Sequence, residues 1–206
     1  MRDARPALPW RVPVILLARH GETEFNLQRR AQGMADSPLT PLGLRQAHAM
    51  ASLVADLVAS EPGVWRMVSS PLGRAVATAK VFSEHVGLPF DLDHRLREHS
   101  MGEFDGLHVD EFVPLLRTDV PPHERSFHTP GGESFETLSA RIGEFLGEAG
   151  PEDRVIVVSH GAAGRVIRGL FGGLDRKAML TLEVPQDAIF RLHDGQIDRF
   201  DCEPFV

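Results

Sequence analysis

Arg19 and His20 stand side by side where an apolar run, Val14 to Ala18, breaks into Arg-His-Gly-Glu-Thr. A second apolar run, Val155 to Val158, breaks into Ser159-His160-Gly161. Arg74 follows a third run in Ser-Ser-Pro-Leu-Gly-Arg-Ala, and Glu98 sits in LREHSMGEFDG. If the runs are neighbouring strands, two histidines and two arginines meet in one pocket, and such a pocket fits a phosphate. A neutral imidazole can attack phosphorus in line and form a phosphohistidine. The transferring group is highly charged, so catalysis is mostly positioning and charge stabilisation. Arginine's planar fork suits the non-bridging oxygens. The leaving alkoxide needs a proton, and Glu98 is a candidate to supply it. The helix after Gly161 adds free backbone N–H groups that favour an anion.

These residues need strand ends and helix starts to hold them. Short continuous apolar runs are the mark of strands covered on both faces. In α/β sheets the carboxyl ends of such strands are where ligands bind. Gly21 is read as the residue that lets the chain turn sharply after the first strand. Thr40 and Pro41 read as N-cap and first helical position, with apolar residues at helical spacing from Leu44 to Val58. Trp65 to Val68 reads as a strand. Ser69-Ser70-Pro71 repeats the cap-plus-proline pattern ahead of a helix from Arg74 to Val86, closed by Gly87. Phe90 to Leu92 reads as a strand, Val109 to Leu116 as a short helix, and Thr118 to Gly132 as loop. Ser134 to Glu148 and Ala162 to Phe171 read as helices around the strand Arg154 to Ser159. Ala188 to Leu192 and Gln196 to Phe200 flank His193-Asp194-Gly195, a hairpin signal. The alternation predicts an α/β fold, a three-layer α/β/α sandwich with a mostly parallel sheet made mixed by the final hairpin.

The bulk composition narrows the classes. A chain of 206 residues fits one domain, 1–206, with a loose arm at 1–11 and a lid-like insert at 99–132. Net charge is −7, which argues against nucleic acid or an anionic membrane as the main partner. Local clusters of arginine still allow a small anionic substrate. The single cysteine, Cys202, excludes an intrachain disulfide, and a reducing, cytoplasmic location is expected. The apolar run Val12 to Ala18 is too short to span a membrane.

Five blocks, RHGETEFNLQRRAQGMADSPLTPLGLRQA, SSPLGRAVATA, LREHSMGEFDG, TPGGES and VVSHG, together resemble the histidine phosphatase superfamily, also called the phosphoglycerate mutase-like family. They run from Arg19 to Gly161 in the family's order. The resemblance implies a phosphoglycerate mutase-like fold with His20 as the nucleophile that carries the phosphoryl group. It implies that Arg19 and Arg74 clamp the phosphate and that His160 is the second histidine bonding it. Glu98 would give the leaving group its proton and then activate water. Asn26, Gln32 and Gly33 fall in the segment that lines the phosphate or substrate side, and Gly161 adds its backbone. Neither a metal nor a cofactor is implied. Phe25 stands where the family commonly has Trp, and GEFDG replaces GEWEG. Both changes keep the chemical type.

Two reactions share this machinery. A phosphatase lets water take the phosphoryl group; a 2,3-bisphosphoglycerate-dependent phosphoglycerate mutase returns it to another hydroxyl. The mutase branch usually has a lysine shortly after its acid, whereas HSMGEFDGL has none. RSFHTP passes straight into GGES, where the mutase would carry its insertion. These features favour hydrolysis of a small phosphomonoester. A non-catalytic relative that binds a phospho-ligand would have lost His20, an arginine or Glu98, and all are present. A phosphatase acting on protein phosphohistidine would be shorter and more open. Of the other histidines, His94, His99, His108, His123 and His128 show no metal-ligand spacing. They read as surface or pocket-rim residues, with His99 placed to touch substrate. Edge strands leave the pairing of two copies into a homodimer open.

Overall fold

The apolar runs become the middle of a six-stranded sheet. A computed structural model describes residues 13–150 and 152–202; the arm expected at 1–11 lies outside them. In chain order the elements are β1 (Val14–Arg19), α1 (Glu24–Leu27), α2 (Pro41–Ser60), β2 (Trp65–Ser69), α3 (Gly73–Val86) and β3 (Phe90–Leu92). Then come α4 (Val109–Phe112), α5 (Phe135–Glu148), β4 (Arg154–Ser159), α6 (Gly161–Phe171), α7 (Arg176–Leu180), β5 (Ala188–His193) and β6 (Gln196–Asp201).

The strand order is β3-β2-β4-β1-β5-β6. Strands β3, β2, β4 and β1 are parallel neighbours, and β5 pairs antiparallel with both β1 and β6. The sheet is therefore mixed and mostly parallel, as the alternating pattern requires. Register in the centre runs from Val14 opposite Arg154 to Arg19 opposite Ser159. The two His-Gly tips thus lie side by side at one sheet end.

Alternation along β1 and β4 divides the core into two layers. Ile15, Leu17, Val155 and Val157 pack with Leu138, Ile142 and Leu146 of α5, Val166 and Ile167 of α6, and Met179 of α7. Leu16, Ala18, Ile156 and Val158 pack with Ala47, Met50 and Val54 of α2, and Ala79 and Phe82 of α3. Each fully buried Leu, Ile or Val contributes about 1.5–3 kcal/mol, so both helical layers are held to the sheet by hydrophobic burial. Among the described residues no helix is long and apolar enough to cross a membrane.

Besides α1 and α7, which the sequence reading did not include, three local details differ from it. The N-cap of α3 is Leu72, with no side-chain cap bond, rather than a serine. Its first N–H groups, on Gly73 and Arg74, are instead taken by the Asp36 carboxylate from a distant loop. Ser70 Oγ accepts from Leu72 N–H and contacts His160. Gly21 has a steric role that the turn reading did not include. A Cβ there would run into the Gly43 carbonyl, and one at Gly43 would run into Glu22, so the two glycines let the segment that follows β1 touch α2 backbone to backbone. Thirdly, the segment 118–132, expected as loop, contains a 3-10 helix, Pro122–His128.

Candidate active site

The tips of β1 and β4, the start of α3 and the loop carrying Glu98 meet around a cavity of about 190 Å³. Arg19, His20, Arg74 and Glu98 line it, with Asn26, Arg30, Gln32, Gly33, His99, Met101, Ser126 and Ala162. His99, Met101 and Ser126 are what the segment 99–132, expected as a lid-like insert, contributes to the cavity.

His20 is almost fully buried. Its Nδ1 is 2.8 Å from the Gly21 carbonyl oxygen, which can only accept, so Nδ1 carries the proton. Nε2 therefore holds the lone pair, and it accepts from Arg74 Nε–H at 3.2 Å. Burial, then the positive charges of Arg19 and Arg74, hold the imidazole well below its ordinary value of 6.5. The ring is neutral, with one nitrogen free to act as a base or nucleophile.

Arg74 is held by the loop that follows α1. Nη1 donates to the Ala35 carbonyl at 2.8 Å and to Asp36 at 3.2 Å, and Nη2 donates to the Gly33 carbonyl at 2.8 Å. Gly33 adopts φ +48°, and a side chain there would collide with the Asp105 carboxylate. Arg19 is anchored at one end only, by Nη1 to the Val184 carbonyl at 2.7 Å. Burial brings its guanidinium down to about 10, opposed by the charge of Glu98.

Glu98 lines the cavity. Its carboxylate accepts from the N–H groups of His99 at 3.0 Å, Ala163 at 3.0 Å and Ala162 at 3.1 Å. It thus sits at the N-terminus of α6 and caps N–H groups that the helix itself leaves free. Gly161 lies beside it; a Cβ there would be 3.5 Å from Glu98 and 3.8 Å from Arg19 Nε.

His160 stands behind His20 and is not among the residues lining the cavity. The two rings are 5.2 Å apart, centroid to centroid, and His160 Nε2 is 2.7 Å from Ser70 Oγ. Burial first, then Arg74, lowers its imidazole well below 6.5. Buried polar atoms without a hydrogen-bond partner gather here: Arg19 Nε, His160 Nδ1 and Gln32 Oε1.

Asn26 lines the cavity while its Oδ1 accepts from the Thr23 N–H. Gln186, which the sequence reading did not single out, bridges the His20 carbonyl at 3.2 Å and Asn26 Oδ1 at 3.1 Å. Asp36, Arg30 and Arg141 were also missed. Asp36 and Arg30 lie inside the first resembling block, but nothing in their types marks them apart from loop residues. Gln186 lies 160 residues from Asn26, beyond reach of any local signal. His94, His108, His123 and His128 do not line this cavity. Among the described residues no group of three or more His, Cys, Asp or Glu could hold a metal ion.

The model of the histidine phosphatase superfamily, branch 1, matches residues 15–198. The chain belongs to that superfamily. "Probable phosphoglycerate mutase GpmB" of Yersinia pestis (strain Pestoides F) is 38% identical over 184 residues, covering 86% of this chain and 83% of its own. The mycobacterial glucosyl-3-phosphoglycerate phosphatase solved with VO3 superposes with a TM-score of 0.74 at 26% identity. That match covers 93% of this chain and all of the phosphatase. A structure named mycobacterial hydrolase 1 gives a TM-score of 0.72 at 27% identity, covering 87% and 88%. This histidine phosphatase superfamily enzyme is thus of the phosphatase or phosphoglycerate mutase type, on a fold its relatives share.

Proposed function

We propose that this enzyme hydrolyses a small phosphomonoester through a phosphohistidine on His20. The observation that carries the reading is the state of His20: buried, neutral, protonated on Nδ1, with its Nε2 lone pair beside two arginines. In the first step the Nε2 lone pair attacks phosphorus. The bond to the leaving oxygen breaks, its electron pair stays on that oxygen, and the oxygen takes a proton from the Glu98 carboxyl. In the second step Glu98 takes a proton from water as the water oxygen attacks phosphorus. The P–N bond breaks, its pair returns to Nε2, and inorganic phosphate leaves.

Arg74 exchanges its bond to Nε2 for a phosphate oxygen when substrate enters. Arg19 Nε, left without a partner, supplies a second donor, and His160 Nδ1 a third. The cavity, about 190 Å³, suits a phosphoryl group with a small leaving group rather than a protein side chain in a folded partner. Asn26, Gln32 and Gly33 shape the side where the phosphate sits, and Gly161 starts α6 beside Glu98 and Arg19.

Hydrolysis is favoured over the mutase reaction because RSFHTP leads directly into GGES and no lysine lines the cavity. The experiment is to incubate the enzyme with a panel of phosphomonoesters, including 3-phosphoglycerate, and follow both free phosphate and positional isomers. Release of phosphate with no isomer formed supports hydrolysis. Conversion of 3-phosphoglycerate to its isomer, with little phosphate released, overturns it in favour of the mutase.

A further inference from the structure

Glu98 lies in an irregular stretch between two 3-10 turns, His94–Leu96 and Gly102–Phe104. No strand ladder or long helix fixes its backbone. Arg141, on α5, does so instead. Its Nη1 donates to the carbonyls of Arg95 at 2.5 Å and Arg97 at 2.8 Å, and its Nη2 donates to the carbonyl of Glu98 at 3.1 Å. Nε and Nη2 hold the two Glu133 oxygens at 2.7 Å each. A guanidinium has five N–H donors, and all five are used.

Glu133 tightens the same loop through its backbone. Its carbonyl is 2.9 Å from His99 Nε2, and its N–H donates to the Ser100 carbonyl at 2.9 Å. The Arg141 and Glu133 side chains are only 13% and 14% exposed. A second cavity, of about 500 Å³, is lined by Arg97, Glu98, Glu133 and Arg141 among others. Among the described residues Glu98 alone lines both this cavity and the one at His20. It is therefore a partition between two hollows, with its carboxylate tied to α6 and its backbone tied to Arg141.

We propose that Arg141, clamped by Glu133, is the positioning residue that sets the Glu98 carboxyl at the leaving-group oxygen. The inference rests on the proposed role of Glu98 as proton donor. Misplacing an acid by about 1 Å can cost about a hundredfold in rate. That loss depends on the leaving group. An ester whose leaving oxygen is already a weak base needs no proton, whereas a poor leaving group does.

The test measures the phosphorylation burst with dinitrophenyl phosphate and with phenyl phosphate for the wild type, Glu98→Gln, Arg141→Lys, Arg141→Met and Glu133→Gln. Vanadate inhibition and thermal melting report whether the phosphate pocket and the fold survive. The account predicts that Glu98→Gln and both Arg141 variants lose about tenfold or more on phenyl phosphate and less than about threefold on dinitrophenyl phosphate. Vanadate inhibition stays near wild type, Arg141→Lys is the milder Arg141 variant, and Glu133→Gln shifts the same way. Equal losses on both esters in the Arg141 variants, beside a selective loss in Glu98→Gln, overturn the positioning role. Equal losses in Glu98→Gln overturn the acid assignment, and the inference with it. If the Arg141 variants do not fold, Glu133→Gln decides by the same comparison.

Discussion

Arg74 Nε donates to His20 Nε2 across 3.2 Å, so one arginine touches both the candidate nucleophile and, through Asp36, the loop that frames the cavity. An imidazole next to an anchored cation stays neutral, and the pair favours an anionic ligand. The same guanidinium also binds the carbonyls of Gly33 and Ala35, which fixes its plane before any substrate arrives. Such prior ordering is where an enzyme of this kind gains rate, because little rearrangement is left for the reaction itself.

Replacing Arg74 by Lys keeps the charge but not the fork. An ammonium cannot hold the Gly33 and Ala35 carbonyls and a phosphate in one plane. Arg74→Lys is expected to lower kcat/KM by about a hundredfold or more and to weaken vanadate inhibition, while the protein remains folded. Steady-state kinetics with an aryl phosphate check this; a change of less than about threefold would show that the fork is not used.

Asp36 joins two tasks, capping α3 and pairing with Arg74. Asp36→Ala leaves the first N–H groups of α3 without that acceptor. The expected cost is about 1–2 kcal/mol of stability, seen as a lower Tm, together with weaker vanadate inhibition. An unchanged Tm would mean that water replaces the cap at no cost.

The lowered imidazoles of His20 and His160 make stability depend on pH with a definite sign. Burial, then nearby arginines, holds both below the ordinary value of 6.5, so the unfolded chain binds their protons more readily. The stability tied to their neutral forms is present above about pH 6.5 and is lost as pH falls from there through their lowered folded values. Melting curves at descending pH are expected to show Tm falling below about pH 6.5, with a shallower fall in His160→Ala. Because His20 stays neutral below 6.5, the acid limb of kcat/KM should also lie lower than that. An acid limb at 6.5 would mean that His20 titrates as an exposed histidine does.

The proposed steps use side chains alone. Activity is therefore expected to survive exhaustive treatment with EDTA. Complete loss on chelation, restored by one added divalent ion, would contradict the mechanism.

Much of this was legible before any coordinates. Ile15 to Ala18 and Val155 to Val158 are buried on both faces, and such strands advertise themselves as unbroken apolar runs. Their His-Gly tips come together because parallel neighbours in register end at the same edge. Arg74 and Glu98 were marked by their sequence blocks. Less legible was what holds these residues. Asp36 caps a helix that begins 37 residues later, and Arg141 reaches back 43 residues to the Glu98 carbonyl. Gln186 acts across 166 residues on the His20 carbonyl. Support of this kind depends on tertiary placement, and neither periodicity nor capping patterns carry it. Glu133 illustrates the limit: in the sequence it is only the acid before Ser134, the N-cap of α5, yet in the fold it pairs with Arg141 eight residues on.

The central claim is that a phosphoryl group rests on His20. The most direct measurement is to mix enzyme and an aryl phosphate, quench in alkali, where phosphohistidine survives, and map the modified residue by mass spectrometry. The account predicts one added phosphoryl group, located on His20 and absent from His20→Ala, which should also release no phosphate. A phosphoryl group on any other residue, or full phosphate release by His20→Ala, would contradict it.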